Sequence, residues 1–76
     1  MKELIEFVVK ALVDDPAAIE ITEVAGDKIT IYELRASKSD IGKVIGKRGR
    51  TAGAIRTIIN AVSARKGKRA VLEIVE

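Results

Sequence analysis

Two glycines three residues apart, Gly46 and Gly49, interrupt a stretch of the sequence that otherwise has helical character. A glycine inside a helix costs about 1 kcal/mol relative to alanine, so a pair of them indicates a break between two helices. The two residues between the glycines, Lys47 and Arg48, are both basic. The sequence therefore predicts a short basic loop that joins the end of one helix to the start of the next.

The segments around this loop have the periodicities of a small α+β domain. Apolar residues spaced by three and four predict helices, and two alternating segments around Gly26–Asp27 predict a β-hairpin. The predicted elements are a helix over 2–13, a hairpin over 19–34, a short helix ending near Ile45, a longer helix from beyond Gly49 to about Lys66 and a strand over 70–76. The order α-β-β-α-α-β predicts one domain in which three helices cover one face of a three-stranded sheet.

The helical periodicities also predict which side chains form the core. In the first helix we expect a stripe centred on Leu4, Val8 and Leu12 and broadened by Ile5, Val9 and Ala11, and we expect Phe7 to be buried as well. In the long helix the apolar positions i, i+3, i+4 and i+7 are Ile55, Ile58, Ile59 and Val62. We expect all four to pack against the sheet.

The second strand has apolar residues in both phases. Tyr32 and Leu34 alternate out of phase with Ile29 and Ile31. This pattern indicates either a β-bulge that changes the register or a strand with apolar side chains on both faces. Apolar residues on the outer face of the sheet would favour self-association.

Two short polar segments are typical of helix ends. Ser37, followed three residues later by Asp40, resembles a capping box at the start of the short helix. Asp14 and Asp15 precede a proline, which ends the first helix.

The absence of cysteine and histidine excludes disulfides, thiol nucleophiles, imidazole bases and the usual zinc sites. Glu20 and Glu23 fall on opposite faces of a strand, and an adjacent Asp pair at a helix end does not make a metal site. The glycine loop also lacks the spacing of a nucleotide-binding P-loop. We therefore expect no enzymatic activity, no cofactor and no metal.

The charge of the chain is segregated, although its net value is only +3. Residues 34–72 hold eleven of the 14 Lys and Arg residues and a single acid, Asp40. Such a basic surface favours a polyanionic ligand, and the start of the long helix adds unpaired amides and the positive end of a dipole. The residues expected to contact phosphate are Gly46, Lys47, Arg48, Gly49, Lys43 and Arg50.

The sequence Ile-Gly-Lys-Arg-Gly at 45–49 resembles the I-G-x-x-G loop of the KH domain, which clamps the backbone of about four nucleotides. The whole chain, 1–76, is similar to KH domains of the bacterial type (type II). The similarity extends over "LIEFVVKALVDDP", "DIGKVIGKRGRTAGAIRTIINA" and "KRAVLEIVE". It implies a type II KH fold with a mixed sheet.

The resemblance also implies a groove for single-stranded RNA. One wall would be the short helix with its loop, and the other would be the last strand with residues 66–69. Ile41, Val44 and Ile45 are then expected to line the groove against the bases, although some of them must belong to the core. The basic residues Arg65, Lys66, Lys68 and Arg69 either serve the far wall or end the long helix.

The aromatic content predicts how such a groove would bind. Phe7 and Tyr32 are the only aromatic residues, so stacking platforms of the kind found in many single-strand binders are lacking. We expect weak, salt-sensitive binding with little sequence preference. Gly53 stands where the family usually has a lysine or another side chain, which predicts a lower RNA affinity.

Small stand-alone bacterial KH proteins are described as homodimers and as partners of a second, larger KH-containing protein. The resemblance implies an RNA chaperone or post-transcriptional regulator linked to cell elongation and shape. With no apolar run near the roughly 20 residues that span a bilayer and no signal peptide, we expect a cytoplasmic protein without membrane contact. The alternative is a dimerisation or adaptor module of a ribonucleoprotein complex with little RNA affinity of its own.

Overall fold

A computed structural model of the chain describes residues 1–75. Its elements follow the predicted order, and short 3₁₀ turns connect several of them. They are α1 (Lys2–Leu12), β1 (Glu20–Ala25), β2 (Ile29–Arg35), α2 (Ile41–Ile45), α3 (Arg50–Ala64) and β3 (Arg69–Val75). The predicted α+β fold with a three-stranded mixed sheet is confirmed. No helix among the described residues combines the length and the hydropathy needed to cross a bilayer.

The central strand of the sheet is β2. It pairs antiparallel with β1, where Ile21 lies opposite Leu34, and parallel with β3, where Tyr32 lies beside Leu72. A parallel pair needs a crossover connection, and α2 and α3 provide it between β2 and β3. The loop between α2 and α3 is therefore part of the crossover connection and not of the sheet, and it directly precedes α3.

The pairing of β2 decides between the two alternatives that its sequence left open. Six consecutive residue pairs join β1 to β2 without interruption, so the strand has no bulge there. Tyr32 and Leu34 face the core, and Ile29 and Ile31 lie on the outer face. The outer face therefore carries apolar side chains, and Ile31 lies in one row with Val24 and Val71.

The core lies between the sheet and the helices. From α1 it takes Ile5 and Val9, which are essentially inaccessible to solvent, and from α3 it takes Ile55 and Ile59. Leu34, at the centre of the sheet, is likewise fully buried. Burial of one such side chain stabilises the fold by about 1.5–3 kcal/mol.

The buried stripe of α1 is centred about one residue away from the predicted position, and Ala11, predicted to broaden it, is exposed. Ile5 and Val9 occupy its centre, whereas Leu4 and Leu12 lie on its flank, each about two-fifths exposed. The prediction that Phe7 is buried is wrong, because its side chain is 76% exposed. Two residues along a helix correspond to a rotation of roughly 200°, so Phe7 points away from the face that carries Ile5.

The prediction for α3 is correct for Ile55 and Ile59 and wrong for Ile58 and Val62. Ile58 is 48% exposed and Val62 is 39% exposed. Ile58 lies about 100° around the helix from Ile59, on the flank that faces away from the sheet. Together with Leu4 and Phe7 of α1, these side chains leave apolar surface on the helical side of the molecule.

Candidate nucleic-acid interface

The loop between α2 and α3 depends on the first of its two glycines. Gly46 ends α2 with φ 77° and ψ 171°, a conformation that is essentially restricted to glycine. Its amide donates to the carbonyl of Gly42 at 2.9 Å, which closes the last turn of the helix. A Cβ at Gly46 would lie 2.7 Å from the Cβ of Thr51 and 2.9 Å from its amide nitrogen. Gly46 therefore allows the loop to fold closely against the first turn of α3.

The last two residues of the loop, Arg48 and Gly49, both have a left-handed backbone conformation. Arg48 has φ 56° and ψ 26°, and Gly49 has φ 73° and ψ 13°. The amide of Gly49 donates to the carbonyl of Gly46 at 3.1 Å, so the loop is a single tight turn. A left-handed conformation costs a non-glycine residue roughly 1 kcal/mol. The loop thus holds Arg48 in a strained conformation, with its side chain exposed to solvent.

Three of the predicted basic residues come together at this turn. Lys47, Arg48 and Arg50 are exposed and line an open depression of about 350 Å³. The depression lies at the N-terminus of α3, a helix of 15 residues. The first amides of a helix lack intrahelical acceptors, and its dipole places about half a positive charge there. Side chains and backbone therefore combine to attract an anion.

The three predicted apolar contacts differ in their accessibility. Val44 is fully buried and belongs to the core cluster, and Ile41 is 6% exposed. Ile45, the last residue of α2, is half-buried beside Gly46. Of the three, Ile45 presents the most surface to a ligand, while Val44 anchors α2 to the core.

The fourth predicted cation, Lys43, does not line the depression at the loop. Its ammonium group pairs with the carboxylate of Asp14 and lies 3.8 Å from Oδ1 of Asp40. The hydrogen bond to Asp14, in the connector between α1 and β1, raises the pKa of Lys43. Lys43 therefore links α2 to a segment that precedes the sheet.

Asp40 forms the centre of this link, a role that its sequence context did not reveal. Its side chain is only 1% exposed and accepts hydrogen bonds from the amides of Asp14 and Asp15 at 3.2 and 3.0 Å and from Ser37 Oγ at 3.0 Å. The amide of Asp14, more than any other group, lowers the pKa of Asp40. The predicted capping box is wrong, because neither Ser37 nor Asp40 makes a side-chain capping hydrogen bond, and the contact between them belongs to a connection between distant segments. One feature of the sequence could have indicated this role: Asp40 is the only acidic residue in the basic segment 34–72.

Side chains of α3 also contact the free edge of β3. Nη2 of Arg56 donates to the carbonyl of Leu72 at 3.3 Å, and Oδ1 of Asn60 accepts from the amide of Ala70 at 3.2 Å. Beyond the C-terminal end of α3, Nζ of Lys68 donates to the carbonyl of Gly26 in the hairpin turn at 3.3 Å. These contacts join the last strand and the hairpin to the long helix and its C-terminal connector.

The part of the chain that the structure describes contains no group of three or more acidic side chains arranged to hold a metal ion. The surface around the loop Gly46–Gly49 is formed instead by exposed cations, backbone amides and the half-buried Ile45.

Comparison with known proteins gives a consistent result. The sequence model of a family described as "KhpA/KhpB, KH domain" matches residues 2–74. The RNA-binding protein KhpA of Borreliella burgdorferi is 51% identical over 97% of this chain and 90% of its own length. The proteins of the same name from Clostridium perfringens and Aquifex aeolicus are 48% and 46% identical, over 99% and 100% of this chain and 100% and 96% of their own lengths. No solved structure matches the chain significantly.

Proposed function

Because the chain belongs to the KhpA/KhpB family of KH domains, we propose that it binds single-stranded RNA through the loop Gly46–Gly49. The observation that carries the proposal is the coincidence of this glycine-framed loop with the N-terminus of α3 and three exposed cations. Relatives that align over nearly their whole length carry the name RNA-binding protein KhpA. The family is one of RNA-binding proteins and not of enzymes.

The residues divide into two roles in this proposal. Lys47, Arg48 and Arg50 contact phosphate groups, together with backbone amides at the start of α3. Gly46 and Gly49 give the loop its shape, and Gly49, where an added Cβ would have no atom within 4 Å, leaves room for a phosphate. Lys43 and Ile45 complete the site, and the buried Ile41 and Val44 support α2 beneath it.

The apolar part of the groove rests on Ile45, because Ile41 and Val44 are buried. We therefore assign base contact to Ile45 and support of α2 to the other two. Tyr32 is 4% exposed and Phe7 lies on a different element from the loop, so base stacking on aromatic rings contributes little. Binding would then depend on phosphate contacts, with a marked salt dependence and little sequence preference.

The family also supports a cellular role. We propose an RNA chaperone or post-transcriptional regulator that acts in the cytoplasm and contributes to cell elongation and shape, as the resemblance implies. In the same proposal the chain forms homodimers and associates with a larger, KH-containing partner of the KhpB type.

Two apolar surfaces are available for such contacts. One lies between α1 and α3, where Leu4 and Ile58 border the same shallow apolar depression, and Phe7 and Val62 are exposed elsewhere on these two helices. The other is the row of Val24, Ile31 and Val71 on the outer face of the sheet. Exposed apolar patches of this kind mark interaction sites in small proteins. They also support the second candidate function, an adaptor module with little RNA affinity.

A charge-reversal experiment separates the two functions. The double variant Lys47→Asp/Arg48→Asp is checked for folding by circular dichroism, and its affinity for a labelled single-stranded RNA is measured by fluorescence anisotropy. Loss of binding with retention of the fold and of the oligomeric state, measured by light scattering, supports the RNA-binding proposal. If the folded variant binds RNA as tightly as the parent protein, the loop is not the site.

A further inference from the structure

Lys43 differs from the other cations of the candidate site in being paired already. Within residues 1–75, its ammonium group contacts the carboxylates of Asp14 and Asp40, whereas Lys47, Arg48 and Arg50 form no ion pair. An RNA phosphate can therefore reach Lys43 only in competition with a carboxylate of the protein itself.

The two carboxylates are held very differently. Asp40 is 1% exposed and fixed by two backbone amides and a serine hydroxyl. Asp14 has 83% of its side chain exposed, and its carboxylate is held by Lys43. Of the two partners of Lys43, only Asp14 can leave without breaking a buried network.

Lys43 is also within reach of the same ligand as the loop. It lies on α2 three residues before Gly46, which corresponds to less than one helical turn, or about 5 Å along the axis. Its side chain is 44% exposed, so it can change partner at the surface. A nucleotide next to the one gripped by the loop would meet Lys43 and Asp14 together.

We propose that Asp14 lowers the RNA affinity of this protein by competing with an RNA phosphate for Lys43. The proposal rests on the proposed RNA binding at the loop and adds a specific negative determinant to it. In the free protein Asp14 neutralises Lys43, and in the complex Lys43 turns to the phosphate while Asp40 keeps α2 in place. The acidic side chain thus lowers the affinity of a site that is otherwise basic.

The chain offers a matched control for this proposal. Asp15 is the next residue, is also exposed, and forms no ion pair among the described residues. Asp14→Asn and Asp15→Asn each remove one negative charge from the same connector and keep the backbone amides that bind Asp40. A general electrostatic effect would act on both variants alike.

The test is a double-mutant cycle with a fluorescently labelled RNA of twenty uridines at 50 mM salt. We expect Asp14→Asn to tighten binding by about two- to fivefold, the range that exposed ion pairs are worth, and Asp15→Asn to have a clearly smaller effect. The gain should disappear in Asp14→Asn/Lys43→Ala relative to Lys43→Ala, and it should shrink at 300 mM salt because exposed charges are screened. Thermal melting confirms that each variant is folded.

The outcomes distinguish this inference from the proposed function. If the parent protein binds RNA but Asp14→Asn and Asp15→Asn have equal effects, or if the gain persists without Lys43, competition by Asp14 is refuted and RNA binding stands. If the parent protein fails to bind the RNA at all, the proposed function itself fails.

Discussion

The two ends of α3 have similar residues and different surroundings. Each end has a glycine with positive φ, 73° at Gly49 and 68° at Gly67, and each has a cluster of Lys and Arg residues. At the N-terminal end the exposed side chains of Lys47 and Arg48 line an open depression. At the C-terminal end Lys68 is hydrogen-bonded to the carbonyl of Gly26 in the hairpin turn.

The polarity of the helix gives these similar clusters opposite consequences. The dipole of α3 is positive at Gly49 and negative at Gly67. Cations at the N-terminal end add to a positive potential and attract an anion, whereas cations at the C-terminal end offset a negative one and stabilise the helix end. Charge composition therefore does not identify a phosphate site unless the direction of the helix is known. We therefore propose that the cluster at Arg65–Arg69 stabilises the end of the helix and that the cluster at Lys47–Arg50 contacts the RNA.

The largest effect should come from the buried carboxylate of Asp40, which directly precedes α2. We expect Asp40→Ala to reduce the free energy of unfolding more than alanine at Gly46 or Gly67 does, because it leaves the amides of Asp14 and Asp15 without their acceptor. Urea unfolding at pH 7 measures the loss. A variant as stable as the parent protein would show that the network does not hold α2.

The contribution of Asp40 to the free energy of unfolding should depend on pH. Hydrogen bonds from the amide of Asp14 and other donors lower the pKa of Asp40 in the folded state. Its contribution to stability is therefore present above the unfolded-state pKa of about 4 and is lost as the pH falls through the lower folded-state pKa. The difference in stability between the parent protein and Asp40→Asn should be constant from pH 6 to 8 and should narrow below pH 4. A difference that is independent of pH would contradict this assignment.

The next largest effect should come from alanine substitutions of Gly46 and Gly67, which should reduce the free energy of unfolding by different amounts. Gly46→Ala places a Cβ against Thr51 in a conformation reserved for glycine, and we expect a loss of about 3 kcal/mol. Gly67→Ala is the matched control, because its φ is also positive but no atom lies within 4 Å of the added Cβ. That variant should lose only about 1 kcal/mol. Equal losses in chemical denaturation would show that the close contact with Thr51 is unimportant.

Two double variants, each of which removes two cations from one end of α3, should differ in RNA affinity. Lys47→Ala/Arg48→Ala should weaken binding to single-stranded RNA about tenfold at 50 mM salt and reduce the slope of log K against log salt by about 1.4, which corresponds to two lost phosphate contacts. Lys66→Ala/Lys68→Ala removes the same charge from the other end and should weaken binding about twofold or less. Anisotropy titrations at several salt concentrations give both values. Equal losses would place the C-terminal cluster in the groove.

The fold and the location of the loop could be predicted because local rules determine them. The glycine pair, the alternation of the hairpin and the spacing of Ile55 and Ile59 each depend on neighbours within a few residues. The exposure of Phe7 and Ile58 could not be predicted in this way. A stripe of apolar residues wider than the contact face shows no edge in the sequence, and which part of it is buried depends on how α1 and α3 pack together.

The long-range partners of the charged residues were equally inaccessible. Asp40, three residues before Lys43, is a partner that helical spacing can suggest, but nothing near Lys43 in the sequence indicates its second partner, Asp14. Asp14 lies 29 positions earlier in the chain, and the fold alone brings it to α2. Long-range ion pairs have no periodicity in the sequence. The sequence could therefore predict a basic loop, but it could not predict that the nearby cation Lys43 is already paired with a carboxylate.

The smallest effect concerns α3 itself, one turn beyond the loop. Gly53 has no atom within 4 Å of an added Cβ and has ordinary helical φ, so Gly53→Ala should increase the free energy of unfolding by about 0.5–1 kcal/mol. Ala54→Gly, at the next position along the helix, should cause a loss of similar size. If RNA affinity depends on the loop alone, Gly53→Ala should leave it within a factor of about two, whereas Gly53→Lys, which adds a cation near the positive end of the dipole, should raise it about threefold. A rise in affinity with alanine as large as that with lysine would mean that fraying of the first turns of α3, and not the charge at its N-terminal end, limits binding.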